Sequence, residues 1–561
     1  MFDKATREKV KQIKEEWKQE YQKRYDDKEF NSTTYSGIPV KPVYTPEDIE
    51  HLDYKEIGMP GIFPYTRGLY PVGYRAQPWV SQQATGYGLP EQTRERYELL
   101  AKEGLRGYEG REPPYFTGQD QAGMLGYDAD HPVAKGWVGM TGPSVSTFED
   151  FELLFEGVDI SNRNLVLGVF DTSPVFLAWL VMLAEKRGVP LDKLHGLSLN
   201  SFFRQMYLEH PSFPPSSALK INREFIKYCT ENLPYWNTVN FNMYDIIECG
   251  GNAIQELAFI LSVVIALVEE CMKVGLDPNV FVTRFNFHMA GHMDFFETIA
   301  KIRALRRMWA KLARNRFGCT NPRALKAIIN VKTAGATYTR QQPLNNLIRG
   351  CIETLAAVLA DVNALWTTHY DDPLAIPTEQ AAILGLRTQQ IILYETGIPN
   401  VSDPLAGSYY VEWLTSRIEE EATKLLQRIE QMGGWVKCLE AGWFRKEIDR
   451  GAIEWRRKVD KGETIVVGMN KFVMREEQKV PVFEYPEVED IAIERVKKFK
   501  EKRDIALTRA ALAELKEAAQ RVDRGESGLL MPAVIKCAKA DATLGEIMDV
   551  LKEVFGWGLI T

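Results

Sequence analysis

Strand-like and helix-like segments alternate through the middle of this chain of 561 residues, and this alternation restricts the fold more than any other feature. Strands and helices that alternate at such spacing predict a parallel sheet, and six or more repeats favour a closed (β/α)8 barrel. The strand-like runs are 164–171, 195–202, 236–245, 279–290, 325–337 and 362–372, and the main helical patterns between them are 173–188, 251–275, 291–315 and 377–396.

The predicted strands carry more polar residues than a barrel interior usually does. Closed barrels are filled mainly by Val, Ile and Leu. Polar side chains at alternating strand positions predict an interior that meets water or a ligand, whereas local pairing toward the surrounding helices is the alternative. The residues concerned are Ser198, Asn200, Asn240, Asn242, Thr283, Asn286, Thr333, Thr337, Thr367 and Thr368.

Charged residues also fall inside or beside the predicted strands. Burying a charge costs several kcal/mol unless it is paired, so each of these positions needs an explanation. We expect all five at carboxyl ends of strands, where barrel active sites lie. Each alone fits a structural ion pair, but together they favour a polar active site at one mouth of the barrel. They are Asp245, Arg284, Lys332, Asp371 and Asp372.

Composition argues against several classes of protein. The net charge of -7 leaves no basic excess to neutralise phosphates, so we expect no nucleic-acid partner. The longest apolar run, 257–268, is too short to cross a bilayer. The N-terminal stretch is a charged helix without the apolar core of a secretory signal. We therefore expect a cytoplasmic protein that does not enter a membrane.

Motifs for metal ions and phosphate loops are weak. The 7 cysteines form no CxxC pair and suit a reducing compartment, and no P-loop or GxGxxG follows a strand. His288 and His292 are spaced for one helix face, but the Glu of the HExxH motif is missing. We interpret them as a histidine at the barrel rim and a histidine in the next helix, and predict no metal site.

Three regions follow from these patterns. Residues 1–45 form a polar arm, with one charged helix and a turn-rich extended segment, which we expect to contact a partner subunit. Residues 46–405 form the barrel, which is the substrate domain. Residues 406–561 are helical and charged, and form a linker and appendage. The predicted fold class is α/β, a (β/α)8 barrel with an N-terminal extended arm and a C-terminal helical appendage.

Seven longer motifs resemble one family, the large, substrate-binding subunit of the adenosylcobalamin-dependent acyl-CoA mutases. That family includes the mutases of methylmalonyl-CoA, isobutyryl-CoA and 2-hydroxyisobutyryl-CoA. The motifs occur in the family's order along nearly the whole chain. They are GIFPYTRGLYPVGYRAQPW at 61–79, GYDADHP at 126–132, ECGGNAIQELAF at 248–259, FFETIAKIRALRRMWAKL at 295–312, YDDPLAIPTEQA at 370–381, VSDPLAGSYYVEWLT at 401–415 and VGMNKF at 467–472.

The resemblance implies a split enzyme. The family's cobalamin-binding domain, with its DxHxxG motif, does not occur in the sequence, so a separate small subunit is expected to bring the corrin of adenosylcobalamin. The family expectation is a heterotetramer of two large and two small subunits. The resemblance also implies a radical 1,2-rearrangement, in which the cofactor's 5′-deoxyadenosyl radical removes a substrate hydrogen and later returns it.

The family's substrate site is only partly retained. The matches are Tyr70, Tyr74, Pro78, Trp79, Gln83 and Gly86. The two arginines that contact CoA and the substrate carboxylate fall at Gln77 and Gln82, and the tyrosine that presses on the radical site falls at Ala84. Charge-assisted bonds contribute roughly 1.5–3 kcal/mol each, so their loss disfavours methylmalonyl-CoA. Ala84 in place of a large ring should admit a bulkier acyl group.

Other family positions also differ. The histidine beside the migrating group falls at Asp245, with Tyr244 retained before it, and the later carboxylate-binding arginine falls near Leu208 or Glu209. The remaining correspondences are Thr368 and Asp372 for the Asn and Glu at the adenosyl ribose, Arg284 retained, Asn286 for a Ser, and Lys332 for a Gln. Asp245 and Lys332 suit a substrate with its own hydroxyl, amine or carboxylate.

These comparisons predict the following site. The predicted catalytic residues are Tyr244, Asp245 and Lys332; the predicted substrate-binding residues are Tyr70, Tyr74, Gln77, Gln82, Gln83, Ala84, Asn242, Arg284 and Asn286; and the predicted cofactor-binding residues are Gly86, Thr333, Thr368 and Asp372. The predicted function is that of the substrate-binding subunit of a coenzyme B12-dependent carbon-skeleton mutase. Its expected substrate is an acyl-CoA other than methylmalonyl-CoA, with a bulkier or polar-substituted acyl group.

Three alternatives stay open. The first is a mutase that acts on an acid not joined to CoA. The second is a mutase-like barrel without catalysis that serves as a binding partner. The third is a cobalamin-independent lyase or aldolase that uses Lys332 as a Schiff base, which borohydride trapping on Lys332 would support.

Overall fold

The structure is a computed structural model of the chain, and it describes residues 4–25, 31–83, 85–108, 111–476 and 478–560. Ala84, one of the predicted substrate-binding residues, lies outside the described residues. Two short strands of the arm, β1 (Ser32–Thr33) and β2 (Pro39–Val40), pair as an antiparallel hairpin. The other strands are β3 (Val80–Ser81), β4 (Glu112–Gly118), β5 (Arg163–Gly168), β6 (His195–Ser198), β7 (Trp236–Asn237), β8 (Val239–Asn242), β9 (Phe285–Gly291), β10 (Ile328–Thr333) and β11 (Ala364–Trp366).

All pairings among β3 to β11 are parallel, as the alternating pattern predicts. One sheet has the order β3-β11-β10-β9-β8 and the other the order β4-β5-β6-β7. Because β7 and β8 are consecutive pieces separated by Thr238, these strands occupy eight barrel positions in chain order. The predicted α/β barrel class is confirmed.

The barrel ladder is interrupted at one place. Between β3 and β4 the described residues form no strand pairing. Two isolated bonds connect this edge instead, from the Ser81 N–H to the Arg106 carbonyl (3.0 Å) and from the Thr85 hydroxyl to the Phe116 carbonyl (2.6 Å). On this side β3 therefore has no neighbouring strand within the described part of the chain, while on its other side it pairs with β11.

Helices alternate with the strands and form the outer layer. The α-helices up to the last strand are α1 (Lys4–Tyr25), α2 (Tyr54–Ile57), α3 (Pro90–Lys102), α4 (Gln121–Met124), α5 (Phe148–Leu154), α6 (Ser173–Arg187), α7 (Pro215–Asn232), α8 (Tyr244–Glu248), α9 (Ala253–Lys273), α10 (Pro278–Phe281), α11 (Phe295–Asn315) and α12 (Asn345–Leu359). Local sequence sets their limits. Helix α9 begins at a capping box of Asn252 and Gln255, and α6 ends at Gly188 in the left-handed conformation.

The regular elements that the structure describes after β11 are helical, as predicted. They are α13 (Glu379–Tyr394), α14 (Tyr409–Gln431), α15 (Gly434–Glu440), α16 (Trp443–Asp460), α17 (Glu489–Lys502), α18 (Ile505–Asp523), α19 (Leu530–Lys539) and α20 (Leu544–Phe555). Helix α14 is fixed to the barrel by Arg303 of α11, which pairs with Asp403 and, at 2.6 Å, with Glu412. All three side chains are buried.

The GYDADHP turn ties the last helix to the barrel. Asp128 accepts hydrogen bonds from the Gly545 N–H (2.7 Å) and the Thr543 hydroxyl (2.6 Å) at the start of α20. The main hydrophobic cluster therefore extends from the barrel into the C-terminal helices, and includes Leu515, Val534 and Leu551. Among the helices of the described residues, none has the length and hydropathy needed to cross a membrane.

Candidate active site

Strand register arranges the barrel interior in three layers between β8 and β11. Side chains alternate between the two faces of a strand, so residues paired at every second position share a face. The lower layer is Asn240, Asn286 and Ile328; the middle layer is Asn242, His288, Asn330 and Ala364; and the upper layer is Ala290, Lys332 and Trp366. The intervening residues face the helices, because the ring of Phe287 lies 5.4 Å from that of Trp309 in α11.

The lower layers contain buried polar atoms without partners. The Asn240 Oδ1, Asn242 Oδ1 and Asn286 Nδ2 atoms have no hydrogen-bond partner among the described residues. In the upper layer the Trp366 Nε1 is also unpaired. By contrast, Thr367 bonds to Thr354 of α12 (2.9 Å), so it faces outward. The polar interior predicted from the sequence is therefore present in the Asn residues, and the alternative of local pairing applies to Thr367.

Lys332 stands between two aromatic rings at the top of the interior. Its Nζ lies 4.5 Å from the centre of the Tyr244 ring and 4.7 Å from that of Trp366. No carboxylate of the described residues lies within 4.0 Å of it, and none of their atoms accepts a hydrogen bond from it. The ammonium group thus has three N–H donors available to a ligand.

Asp245 is beside Lys332 and is held by neighbouring side chains. The Asn242 amide donates to its Oδ2 at 2.7 Å. Burial raises the pKa of the Asp245 carboxyl, while Arg204, Tyr207 and Lys332 oppose that rise. Arg204 lies in the turn after β6, and its Nε is buried without a partner among the described residues. Arg204 and Lys332 therefore flank this carboxylate as two cations.

Two more carboxylates, Glu248 and Asp372, lie around Gly335 at the carboxyl mouth of the barrel. The Gly335 N–H bonds to the Tyr244 hydroxyl (3.4 Å), and the Ala336 N–H to Glu248 (3.2 Å). A β-carbon at Gly335 would lie 2.7 Å from Asp372 Oδ2 and 3.1 Å from Glu248, so a larger residue here would have to displace these carboxylates. Burial raises the pKa of Glu248 to about 7.

The predicted cofactor residues have different environments. The Thr368 hydroxyl donates to the Thr333 carbonyl, and the Thr368 N–H bonds to the Thr333 hydroxyl at 2.7 Å. These two threonines therefore join the ends of β10 and β11, and the Thr368 hydroxyl keeps only acceptor capacity. Asp372 lies in the group around Gly335. Gly86 lies against Pro143, where a β-carbon would come within 2.7 Å of the ring.

Some predicted substrate residues lie at the opposite, amino end of the barrel. Arg284 precedes β9 and bonds to the carbonyls of Cys229 (3.0 Å) and Leu233 (3.4 Å). The expectation that Arg284 lies at the carboxyl end of a strand is therefore wrong. Tyr70 is 44% exposed, and the Nζ of Lys326 lies 5.2 Å from its ring centre.

The three predicted substrate-binding glutamines, Gln77, Gln82 and Gln83, have different environments. Gln77 is exposed, Gln82 is buried, and Gln83 bonds to the His369 ring at 2.7 Å. A β-carbon on Gly385 of α13 would approach the Gln83 amide, so Gln83 faces this helix. Tyr74 is buried and donates to the Val362 carbonyl at 2.8 Å. Neither Gln83 nor Tyr74 reaches Lys332.

A cavity of about 1200 Å³ lies above the carboxyl mouth. Its floor includes Glu248 and Ala336, and its far wall is formed by Trp455 of α16 and the loop around Val466. The N-terminal arm contributes Tyr35 to a third side. The cavity therefore joins all three regions of the chain above the group around Gly335.

Comparison with known proteins identifies the family. The family described as methylmalonyl-CoA mutase matches residues 33–557. The chain belongs to the methylmalonyl-CoA mutase family. It is 37% identical over 526 residues to the 2-hydroxyisobutanoyl-CoA mutase large subunit of Aquincola tertiaricarbonis. The alignment covers 93% of this chain and 92% of that protein.

Methylmalonyl-CoA mutases are also similar to the chain. The mitochondrial enzyme of Homo sapiens is 34% identical, with 93% of this chain and 68% of the enzyme covered. The enzyme of Escherichia coli is 32% identical, with 93% and 72% covered. The resemblance found in the sequence motifs is thus confirmed, and the chain is an isomerase of a B12-dependent acyl-CoA mutase family.

The sequence prediction missed three residues of this site. Arg204 lies in a short turn that carries no strand or helix signal, and its distance in sequence from Asp245 hides its electrostatic effect on that carboxyl. Glu248 was part of a family motif but had no assigned role, and Trp366 looked like an ordinary strand residue. One sequence pattern could have helped: Asn330 and Lys332 are two residues apart on one strand, so both side chains face the barrel interior.

Proposed function

We propose that this chain is the substrate-binding subunit of a coenzyme B12-dependent mutase that rearranges an acyl-CoA threaded through the barrel. The CoA nucleotide would bind at the amino mouth, the pantetheine chain in the interior and the acyl group beside Lys332. The observation that carries this proposal is the row of unpaired buried polar atoms in the interior.

The interior atoms suit the middle of a CoA molecule. An unpaired buried polar group costs about 1–3 kcal/mol, so Asn240, Asn242 and Asn286 favour a ligand that supplies their partners. Pantetheine carries two amides and a hydroxyl along one flexible chain. Lower and upper layers are four residues apart, which is roughly 13 Å along a strand at ~3.3 Å per residue. A chain with several polar groups matches this length better than a small free acid.

The amino mouth has groups for the nucleotide end. Lys326 lies over both Tyr65 (5.6 Å) and Tyr70 (5.2 Å), just before β10. Arg284 lies just before β9 on the neighbouring strand. Cations bind phosphates, and an exposed tyrosine ring can stack on adenine. This arrangement supports the substrate-binding role predicted for Tyr70 and Arg284, although neither reaches the acyl group.

The carboxyl mouth favours an acyl group with an uncharged polar substituent. Arg204 and Lys332 both oppose the rise that burial causes in the pKa of Asp245, and Lys332 does the same for Glu248, which lies near Asp372. A substrate carboxylate would add another anion to this set, whereas a hydroxyl can accept from Lys332 and donate to Asp245. The relative from Aquincola tertiaricarbonis is a mutase of 2-hydroxyisobutanoyl-CoA, and a hydroxylated or otherwise polar acyl-CoA is proposed here, with methylmalonyl-CoA disfavoured.

The cavity above the mouth fits adenosylcobalamin. It is large, and its wall at Trp455 and Val466 is apolar. When bound, this cofactor supplies a carbon-centred radical that can remove a substrate hydrogen. Asp372 would accept hydrogen bonds from the adenosyl ribose, while Tyr244 and Lys332 would orient the acyl group below and exclude water.

We further propose that a small cobalamin-binding subunit brings the corrin, in a heterotetramer of two large and two small subunits. The name of the 37% identical relative, a large subunit, supports a partner of this kind. A cytoplasmic location is proposed on the same footing, because all seven cysteines are free thiols.

Calorimetric titration of the chain, assembled with its small subunit and adenosylcobalamin, tests the proposal. We expect CoA and a short acyl-CoA to bind with micromolar affinity, and a polar acyl-CoA to yield a rearranged product. No heat up to millimolar CoA, with the small subunit bound, would instead favour an acid not joined to CoA. Absence of 5′-deoxyadenosine with every substrate would favour the binding partner without catalysis.

A further inference from the structure

The N-terminal arm forms one wall of the cavity through a turn of defined structure. The hairpin β1–β2 places its turn on the first turn of α11. The Tyr35 N–H donates to Asp294 (2.8 Å), and the Ser36 N–H and hydroxyl donate to Glu297 (3.1 and 2.9 Å). Ser36 Oγ also accepts the Ala253 N–H at the start of α9 (3.1 Å). The turn thus joins two barrel helices.

The same turn directs Tyr35 into the cavity. Its ring lies 4.2 Å from that of His292, and both residues line the cavity together with Glu248. The ring is largely buried, but no described residue accepts a hydrogen bond from its hydroxyl. Burial, together with Glu297 and Glu248, raises the pKa of Tyr35 to about 12, so the hydroxyl stays protonated and can donate at neutral pH.

We propose that Tyr35 is a cofactor-binding residue whose hydroxyl donates to a peripheral carboxamide of the corrin, and that Ser36 positions it. The inference rests on the proposed function, because it takes adenosylcobalamin as the occupant of the cavity. A corrin ring carries carboxamide side chains all around its edge. A ring bound over Glu248 and Ala336 would have such an amide oxygen on the side of the arm, where the free donor of Tyr35 lies.

The role differs from that of Tyr44, another tyrosine of the arm. Tyr44 packs on Tyr410 and Trp413, with ring centres 4.8 Å apart in both cases, and does not line the cavity. Its hydroxyl accepts the Lys41 N–H at 3.1 Å. Tyr44→Phe therefore removes an arm hydroxyl without changing the cavity, and is a matched control for Tyr35→Phe.

The test is an absorbance titration of adenosylcobalamin into the assembled complex of large and small subunits. A neutral hydrogen bond is worth about 0.5–1.5 kcal/mol, so Tyr35→Phe should raise the Kd by about 2-fold to 12-fold. Ser36→Ala should have a similar effect, and Tyr44→Phe none. Binding of CoA without cobalamin should stay unchanged in all three, which shows that the barrel is intact.

A second titration identifies the amide. It uses cobalamin derivatives in which one side-chain carboxamide is hydrolysed to a carboxylate. For one derivative the ratio of Kd between Tyr35→Phe and wild type should rise, because a hydroxyl bonds a carboxylate more strongly than an amide. Equal affinity of Tyr35→Phe and wild type would overturn the inference alone. Failure of the wild-type complex to bind adenosylcobalamin would overturn the proposed function and the inference with it.

Discussion

Replacing Lys332 by Met should change which acyl groups the enzyme accepts. Methionine keeps an unbranched side chain of similar length between Tyr244 and Trp366, but it removes the ammonium group. Because Lys332 has no carboxylate partner within 4.0 Å among the described residues, the substitution breaks no ion pair. Arg204 still faces Asp245. We therefore expect little change in the free energy of unfolding.

The effect on the substrate follows from the three free N–H donors of Lys332. A charge-assisted hydrogen bond is worth about 1.5–3 kcal/mol, which corresponds to roughly 10-fold to 150-fold in kcat/KM. Lys332→Met should lose this factor for 2-hydroxyisobutanoyl-CoA or another polar acyl-CoA. Isobutyryl-CoA, which has the same carbon skeleton without the hydroxyl, should keep its kcat/KM within a factor of about three.

The assay is product formation by chromatography over a range of each acyl-CoA, with thermal unfolding as the check on folding. Lys326→Met is the matched control, because Lys326 lies at the amino mouth over Tyr65 and Tyr70. It should raise KM for all CoA esters alike. An equal loss for polar and unsubstituted acyl-CoA in Lys332→Met would refute the argument, since it would show that Lys332 does not distinguish acyl groups.

Three further substitutions test the surroundings of the site. Glu248→Gln should flatten the pH dependence of the free energy of unfolding. The raised pKa of Glu248 stabilises the fold below pH 4.5, and about 3 kcal/mol of this stabilisation is lost as pH rises through 7. The free energies of unfolding at pH 5 and 8, measured with a chemical denaturant, should therefore differ less than in wild type. Gly335→Ala should cost about 1–3 kcal/mol, because its β-carbon would displace Asp372 and Glu248, whereas Gly558→Ala, which meets nothing within 4 Å, should leave the melting temperature unchanged. Lys301→Met should cost about 3–5 kcal/mol by stranding the buried Glu256, and adding Glu256→Gln should restore much of it; an additive double variant would contradict the pairing.

Much of the barrel could be predicted because its signal is local. The six predicted strands and four predicted helices agree with the structure to within a few residues at most ends, but β9 begins at Phe285 and not at 279, and β11 ends at Trp366 and not at 372. The first two barrel strands were missed for physical reasons. Strand β3 has only two residues, and β4 contains Pro113 and Pro114, which argue against a strand in sequence. Both lie at the interrupted edge of the barrel.

The site was less predictable because it depends on direction and on distant contacts. Alternation placed the Asn residues of β8 and β9 inside, but it could not show that Thr367 bonds outward to Thr354. Arg284 was assigned to the wrong end because the strand begins after it and not before it. Arg204 acts on the pKa of Asp245 only because the fold brings the two distant segments near each other. The roles of the predicted residues stay predictions until the variants above are measured.

The layered interior separates two kinds of recognition. If the proposed function holds, Asn240, Asn242 and Asn286 of the lower and middle layers bind the part of the substrate that every CoA ester shares. The upper layer alone meets the acyl group, through Lys332. Substitutions in the two sets should therefore have separable effects, on KM for all esters in the first and on the choice of acyl group in the second. A barrel built this way can acquire a new acyl substrate by changing Lys332 and its neighbours, without rebuilding the CoA channel.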